Sequence, residues 1–127
     1  MEDKKNVLIV DDEESMRHFL SKILTREGYN VFLAENGQNA LDQLKETHID
    51  IILADIKMPG MNGFELLKIL KADWPEIGVI MMTGYGDSFT VKDALMLGAD
   101  EYVTKPFKSH EITLIVKRTS WRRTSKA

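Results

Sequence analysis

Several short apolar runs in this chain end in polar side chains that could take part in chemistry. They are Asp11 and Asp12 after the first run, Asp55 after the third, Thr83 after the fourth and Lys105 after the fifth. Each type has an ordinary role when it stands alone, because an aspartate often caps a helix and a lysine is usually solvated. Their placement at the ends of four separate runs predicts that they converge at one site.

Three carboxylates brought together repel one another, and one of them must take up a proton unless a cation lies among them. The chain has no cysteine, and its three histidines are scattered, so oxygen atoms are the ligands on offer. Mg²⁺ suits such a site because it accepts few protein ligands and keeps several waters. The metal would also attract a phosphate, to which Lys105 adds a point charge and Thr83 a hydroxyl donor.

A carboxylate in such a pocket can attack phosphorus and form an aspartyl phosphate. Catalysis would then consist mostly of positioning and charge neutralisation. Asp55 is the best candidate for the nucleophile because it ends the central run, between the acidic pair and the side of Thr83 and Lys105.

Five apolar runs alternate with five segments of helical period. The runs are VLIV (7–10), VFLA (31–34), IDIILA (49–54), VIMM (79–82) and EYV (101–103). The first and fourth are apolar throughout, and the third is apolar from Ile51 to Ala54, which is typical of parallel strands covered on both faces. The alternation predicts an α/β fold, a doubly wound parallel sheet with helices on both faces. Ligands of such sheets bind beyond the carboxyl ends of the strands.

Each helical segment carries an apolar stripe that predicts its buried face. The stripes are Met16, Phe19, Leu20, Ile23 and Leu24; Ala40, Leu41 and Leu44; Phe64, Leu67 and Leu70; Val91, Ala94 and Leu95; and Ile112, Ile115 and Val116. Gly28 is predicted as a C-terminal cap and Ser109 as an N-cap. Leu97, Leu114 and Trp121 lie off the stripes, and we expect them to be exposed on a partner face of the fourth and fifth helices.

The composition of the chain excludes several classes of protein. With 127 residues, of which 43% are hydrophobic, the chain fits one globular domain. A net charge of −3 argues against a dedicated nucleic-acid binder. The charged start MEDKKN precedes only four apolar residues, too few for a signal peptide, and no stretch approaches a membrane-spanning length. We therefore expect a cytoplasmic protein.

The stretches VLIVDDEES, IILADIKMPGMNG, VIMMTGYGD and EYVTKPF, in this order and spacing, resemble the receiver domain of two-component response regulators. The resemblance covers nearly the whole chain. It implies a flavodoxin-like, five-stranded parallel sheet in the order 2-1-3-4-5 with five helices. Residues 1–120 would form the receiver domain, and residues 121–127 a basic tail or the start of a linker. The TGYGD run looks like receivers attached to ATPase-type transcription activators.

The resemblance also implies a set of metal ligands. Asp12 and Asp55 would bind Mg²⁺ through their side chains, and Lys57 through its carbonyl oxygen. Asp11 would complete the acidic pocket, largely through water.

Further residues carry roles implied by the family. Asp55 would be the phosphoacceptor, Thr83 would bind a phosphoryl oxygen and Lys105 would pair with it. The bond between Lys105 and Pro106 would be cis. Tyr102 matches the switch aromatic, whose rotamer reports phosphorylation, although a half-buried strand aromatic is its alternative interpretation. Three neighbouring positions would shape access to the pocket: Lys57, Gly84 and Tyr85.

The implied function is a phosphorylation-activated switch, not an enzyme that turns over a separate substrate. The phosphoryl donor would be a sensor histidine kinase or a phosphotransfer protein. An output domain or target protein would bind the face formed by the fourth helix, fifth strand and fifth helix, and a homodimer on phosphorylation is left open. Nucleic acid would be reached only through an output domain outside this chain, and no membrane partner is implied.

Three alternatives share parts of the pattern. A flavodoxin-type cofactor site needs a glycine- and hydroxyl-rich loop after the first strand, where this chain has DDEES. A hydrolase of the haloacid-dehalogenase type places a second aspartate two residues after the nucleophile, where this chain has Lys57. A metal-binding pseudo-receiver that acts only as a protein-interaction module remains the alternative to the switch.

Overall fold

The computed structural model describes residues 4–84 and 91–125, except for the side chains of 91, 92, 94 and 123–125. Its strands are β1 (Asn6–Val10), β2 (Asn30–Ala34), β3 (Ile51–Asp55), β4 (Gly78–Thr83) and β5 (Glu101–Thr104). Its helices are α1 (Glu14–Arg26), α2 (Gly37–Leu44), α3 (Gly63–Asp73), α4 (Val91–Met96) and α5 (Ser109–Ser125). All strand pairs are parallel, in the order β2-β1-β3-β4-β5, so the predicted fold is confirmed.

Successive side chains along each strand point to opposite faces of the sheet, and this divides the apolar residues between two cores. On one face of the sheet, Leu8 and Val10 of β1 pack with α2 and α3; on the other, Val7 and Ile9 pack with α1 and α5. Successive side chains of a strand point to opposite faces, and the central strands are therefore apolar throughout. Strands β1 and β3 lie inside the sheet, between neighbouring strands and two layers of helices, and their carboxyl ends meet at the same edge.

Among the stripe residues whose side chains the structure describes, two are exposed. Phe19 is 43% exposed, because α1 turns Leu20 and Leu24 toward the sheet and leaves Phe19 at the margin of the helix. There its ring stacks on Phe107, with the ring centroids 6.3 Å apart. Leu95 of α4 is 49% exposed, so the predicted burial of this side chain is wrong. The side chains of two other predicted members, 91 and 94, lie outside the described residues.

Leu97 was expected to be exposed, and this expectation is wrong: it is partly buried against the core on the α3 side of the sheet. Leu114 and Trp121 are exposed as predicted, by 58% and 71%.

One of the two helix caps predicted from the sequence is present in the structure. Gly28 follows α1 with a φ of +96°, as the predicted cap requires. Ser109 is not an N-cap, because it is already the first residue of α5. The Glu111 side chain instead accepts a hydrogen bond from the Lys108 N–H, at 3.0 Å. Helix α5 continues through residue 120 to Ser125. In the part of the chain that the structure describes, every helix is too short or too polar to cross a membrane.

Candidate functional site

The carboxyl ends of β1, β3, β4 and β5 meet at one edge of the sheet and carry the predicted side chains. Asp11 directly follows β1, Asp55 ends β3 and Thr83 ends β4, while Lys105 directly follows β5. Carboxylate oxygens of Asp11, Asp12 and Asp55 all lie within 4.8 Å of one another. The predicted convergence of the acidic residues is therefore present in the fold.

Asp11 is completely buried and is held by its neighbours on several sides. Its N–H donates to the Ala34 carbonyl at 3.1 Å. Its Oδ1 accepts from the Glu13 N–H at 2.9 Å, and its Oδ2 from Lys105 Nζ at 3.4 Å. Asp12, in contrast, is exposed at the rim of the pocket. The acidic pair thus divides into a fixed inner carboxylate and an outer one that faces solvent.

Asp55 is 5% exposed, and its two oxygens have different partners. Lys105 Nζ lies 3.0 Å from Oδ2, while the Lys57 N–H donates to Oδ1 at 3.4 Å. Lys105 is placed for this contact by its own backbone, because its N–H donates to the Thr83 carbonyl at 2.7 Å. The peptide bond between Lys105 and Pro106 is cis, as predicted.

Burial and charge act in opposite directions on these groups. Burial raises the pKa of Asp55, against the attraction of Lys105, and the nearby Asp11 raises it further. Burial likewise raises the pKa of Asp11, although the Glu13 hydrogen bond and Lys105 lower it. Burial tends to lower the pKa of Lys105, but the two carboxylates outweigh it and the pKa is raised. Lys105 thus contacts two of the three acids, and this donor set fits a hard divalent cation such as Mg²⁺.

The acidic cluster opens into a pocket of about 600 Å³. Its lining residues are Asp12, Glu13, Asp55, Lys57, Met58, Pro59, Gly84 and Lys105. Thr83, the last residue of β4, is buried, with 5% of its surface exposed. Tyr102 is half-buried on β5 and is paired with Met81 in the sheet. Tyr85 lies outside the described residues. The pocket is thus wide enough for a phosphoryl group and reaches solvent.

Two residues that support the site, Gly63 and Arg17, were not predicted from the sequence. A side chain at Gly63 would clash with strand β3, because its Cβ would lie 2.5 Å from the Asp55 carbonyl oxygen. The Asn62–Gly63 pair, a cap followed by a residue without a side chain, was an available signal. The second residue is Arg17, which donates to the Asp11 carbonyl. Nothing in the sequence marked it, since an arginine in the first turn of a helix is usually solvated.

Comparison with known proteins identifies the family. Residues 7–117 match the family model of the response regulator receiver domain. The chain belongs to this family. The predicted family is thereby confirmed, and this receiver domain is of the kind that acts in two-component signalling. Receiver domains bind Mg²⁺ at an acidic pocket, and Asp11, Asp12 and Asp55 form an acidic cluster at the corresponding edge of the sheet here.

Curated relatives differ in how much of their length the receiver domain matches. Regulatory protein AtoC of Escherichia coli is 41% identical over 112 residues, which are 88% of this chain but 24% of AtoC. Sporulation initiation phosphotransferase F of Bacillus subtilis is 40% identical over 114 residues, 90% of this chain and 92% of that protein. The chain thus spans about a quarter of one relative and nearly all of another.

Solved structures agree with the fold. The CheY-like response regulator receiver domain protein from Methanospirillum hungatei superposes with a TM-score of 0.92 at 30% identity, over 98% of this chain and all (100%) of that one. NtrX from Brucella abortus, in complex with ADP, gives a TM-score of 0.92 at 29% identity, over 98% of this chain and 29% of NtrX.

Proposed function

We propose that this receiver domain is a switch that accepts a phosphoryl group on Asp55 in a Mg²⁺-dependent reaction. The donor is a sensor histidine kinase or a phosphotransfer protein. The observation that carries the proposal is the group of three carboxylates within 4.8 Å of one another, with Lys105 Nζ 3.0 Å from Asp55 Oδ2. A simple buried ion pair needs one acid for one cation, whereas this pocket gathers three acids and opens to solvent.

The transfer step moves the phosphoryl group from nitrogen to oxygen. A carboxylate oxygen of Asp55 attacks phosphorus, a P–O bond forms and the P–N bond of the phosphohistidine breaks. The bonding electron pair returns to the imidazole nitrogen. The ring is left neutral when its other nitrogen already carries a proton, and otherwise it takes a proton from water to become neutral. With acetyl phosphate the leaving group is acetate. Such transition states are loose, so the protein contributes mainly position and compensating charge.

Each residue of the pocket has a proposed part in this step. Asp12 and Asp55 bind Mg²⁺ through their side chains and Lys57 through its carbonyl oxygen, with Asp11 acting through water. The metal supplies the positive charge that lets an anionic donor approach the acids. Lys105 exchanges its contact with Asp55 for one with a phosphoryl oxygen. Charge-assisted bonds of this kind are strong.

The phosphoryl group then biases a second conformation of the chain. Thr83 donates its hydroxyl to a phosphoryl oxygen, and its backbone carbonyl already accepts the Lys105 N–H at 2.7 Å. Both contacts pull on the ends of the paired strands β4 and β5, which carry Thr83 and Tyr102. The output is a changed face of α4, β5 and α5, where Leu114 and Trp121 are exposed.

The test is incubation of the chain with acetyl phosphate, with and without Mg²⁺, followed by measurement of intact mass. We expect a gain of one phosphoryl group that requires Mg²⁺ and is absent in Asp55→Asn. Asp42→Asn, which removes an exposed carboxylate on α2, is the matched control and should behave as the wild type.

If the wild type gains no mass, the measurement is repeated with a phosphorylated histidine protein as the donor. Failure with both donors would overturn the proposal and leave the metal-binding interaction module as the function. The cytoplasmic location and the bounds 1–120 and 121–127 remain predictions.

A further inference from the structure

Arg17 makes a contact at the acidic pocket that the proposed reaction does not use. Its Nη1 donates a hydrogen bond of 2.7 Å to the carbonyl oxygen of Asp11, six residues earlier in the chain. The bond is partly buried and joins the first turn of α1 to the end of β1. Among the described residues, Arg17 forms no ion pair. This guanidinium therefore binds a backbone carbonyl, whereas the carboxylates of Asp11 and Asp55 are contacted by Lys105.

The carbonyl that Arg17 holds belongs to the peptide unit between Asp11 and Asp12. A peptide unit is planar, so a hydrogen bond that fixes its oxygen also restricts the backbone conformation at Asp12. Asp11 has further bonds, through its N–H to Ala34 and through its carboxylate to Glu13 and Lys105. The Asp12 side chain is exposed and has no hydrogen bond or ion pair with a described residue. Orientation of Asp12 thus depends on its backbone.

We infer that Arg17 is a positioning residue, which fixes the Asp11–Asp12 peptide so that the Asp12 carboxylate is held near Asp55 for Mg²⁺. The inference rests on the proposed function only in its assumption that the pocket binds Mg²⁺. Groups that orient a ligand without touching the metal change metal affinity by about 10- to 100-fold when they are removed.

A purely electrostatic role of Arg17 predicts a change of opposite sign. A guanidinium close to the pocket repels Mg²⁺, so its removal should strengthen metal binding. Loss of positioning should weaken binding instead. The direction of the change in the Mg²⁺ dissociation constant therefore separates the two roles.

The experiment measures the Mg²⁺ dissociation constant of the full chain by titration calorimetry, together with the Tm of the metal-free protein. Arg17→Met keeps the unbranched apolar stem but removes the donor and the charge. Arg17→Lys keeps the charge and one donor group. Lys22→Met removes the same charge from an exposed position of the same helix and is the matched control.

We expect Arg17→Met to bind Mg²⁺ about 10-fold more weakly or worse, and Arg17→Lys to recover part of the loss. Lys22→Met should stay within about 2-fold of the wild type, because exposed charges are screened by salt. Equal or tighter binding by Arg17→Met would overturn the inference, and so would an equal loss in Lys22→Met. If Arg17→Met does not fold, the neutral variant Arg17→Gln takes its place with the same expected order.

Phosphoryl uptake from acetyl phosphate, measured on the same samples, separates this inference from the proposed function. A wild-type chain that binds Mg²⁺ but takes up no phosphoryl group overturns the proposed function, and the comparison of dissociation constants still decides the role of Arg17. A wild-type chain that binds no Mg²⁺ overturns the inference.

Discussion

Lys105 and its two partners set the electrostatics of the site. The Nζ atom lies 3.0 Å from Asp55 Oδ2 and 3.4 Å from Asp11 Oδ2, and both carboxylates are buried. One cation is shared between two desolvated acids, and burial raises the pKa of each acid. At neutral pH the two charged carboxylates are therefore unfavourably buried in the metal-free pocket, and a divalent cation would compensate their charge.

Asp55→Asn should stabilise the metal-free protein at neutral pH. The folded pKa of Asp55 lies above its unfolded value, so the folded state holds the proton more tightly. The contribution of Asp55 to the free energy of unfolding therefore decreases as pH rises from the unfolded pKa through the folded one. We expect a gain of about 1 kcal/mol or more at about pH 7.5 with chelator present, and a smaller gain toward about pH 5. Urea denaturation at both pH values measures it.

Asp12→Asn is the control for this prediction, because it removes an exposed carboxylate from the same pocket. Its metal-free stability should change by less than about 0.5 kcal/mol. A loss of stability in Asp55→Asn at neutral pH would show that the Lys105 contact outweighs the cost of burial.

At the scale of single residues, the sequence located the acids and Lys105 because each follows an apolar run. It could not show that Lys105 also contacts Asp11, or that Arg17 bonds to a carbonyl. Long side chains have several rotatable bonds and reach many partners, so their contacts are decided by packing in the folded chain.

Helix α3 begins close to the end of strand β3. The Gly63 N–H donates to the Ile56 carbonyl at 2.8 Å, and a Cβ at Gly63 would lie 2.6 Å from the Ile56 Cα. These neighbours are backbone atoms, which cannot move aside as a side chain can. The helix therefore supports the loop between β3 and α3, which carries Lys57.

Gly63→Ala should destabilise the protein by about 2 kcal/mol or more, because the new methyl group overlaps backbone atoms of β3. Gly37→Ala is the matched control, since its Cβ would meet the Met61 side chain, with Sδ at 2.7 Å. A flexible methionine can shift, so the control should lose less. Urea denaturation compares the two variants, and equal losses would contradict the special role of backbone contact at Gly63.

Strand β5 and helix α5 are joined by Glu101, which accepts hydrogen bonds from Arg118 and Arg122. Burial acts to raise the pKa of Glu101, but the bonds from Arg122 and Arg118 outweigh it and lower the pKa. The folded pKa is thus below the unfolded one, so this stabilisation is present above the unfolded pKa and is lost as pH falls through the folded one.

Glu101→Gln should therefore cost about 1 kcal/mol or less at neutral pH, since both arginines are partly exposed and screened by solvent. The difference from the wild type should vanish in acid. Urea denaturation at several pH values follows it. A loss that is independent of pH would assign the effect to the shape of the side chain and not to its charge.

At the scale of elements, strand positions could be predicted because both faces of the sheet are covered, which requires continuous apolar runs. Helix faces were predicted less well. Periodicity shows which residues share a face but not how far the neighbouring layer extends. Phe19 and Leu95 lie beyond that layer and are exposed, whereas Leu97 is partly covered.

For the whole molecule, Mg²⁺ should act as a stabilising ligand. A ligand that binds only the folded state adds about 2.7 kcal/mol at 100 times its dissociation constant. We expect the Tm to rise by several degrees at neutral pH, by roughly 2–8 °C per kcal/mol. The rise should be much smaller in Asp12→Asn and unchanged in Asp42→Asn. A Tm that does not respond to Mg²⁺ in the wild type would argue against metal binding by the pocket.

The contact between Lys105 and Asp11 joins residues 94 positions apart. In a wholly parallel sheet no strand pairs with its immediate successor through a tight hairpin, so every pairing waits for a later part of the chain. During translation, the acids emerge from the ribosome long before the lysine that balances them. A growing chain therefore cannot assemble the complete pocket, and a shortened product that ends before β5 would carry the acids without the lysine that contacts two of them.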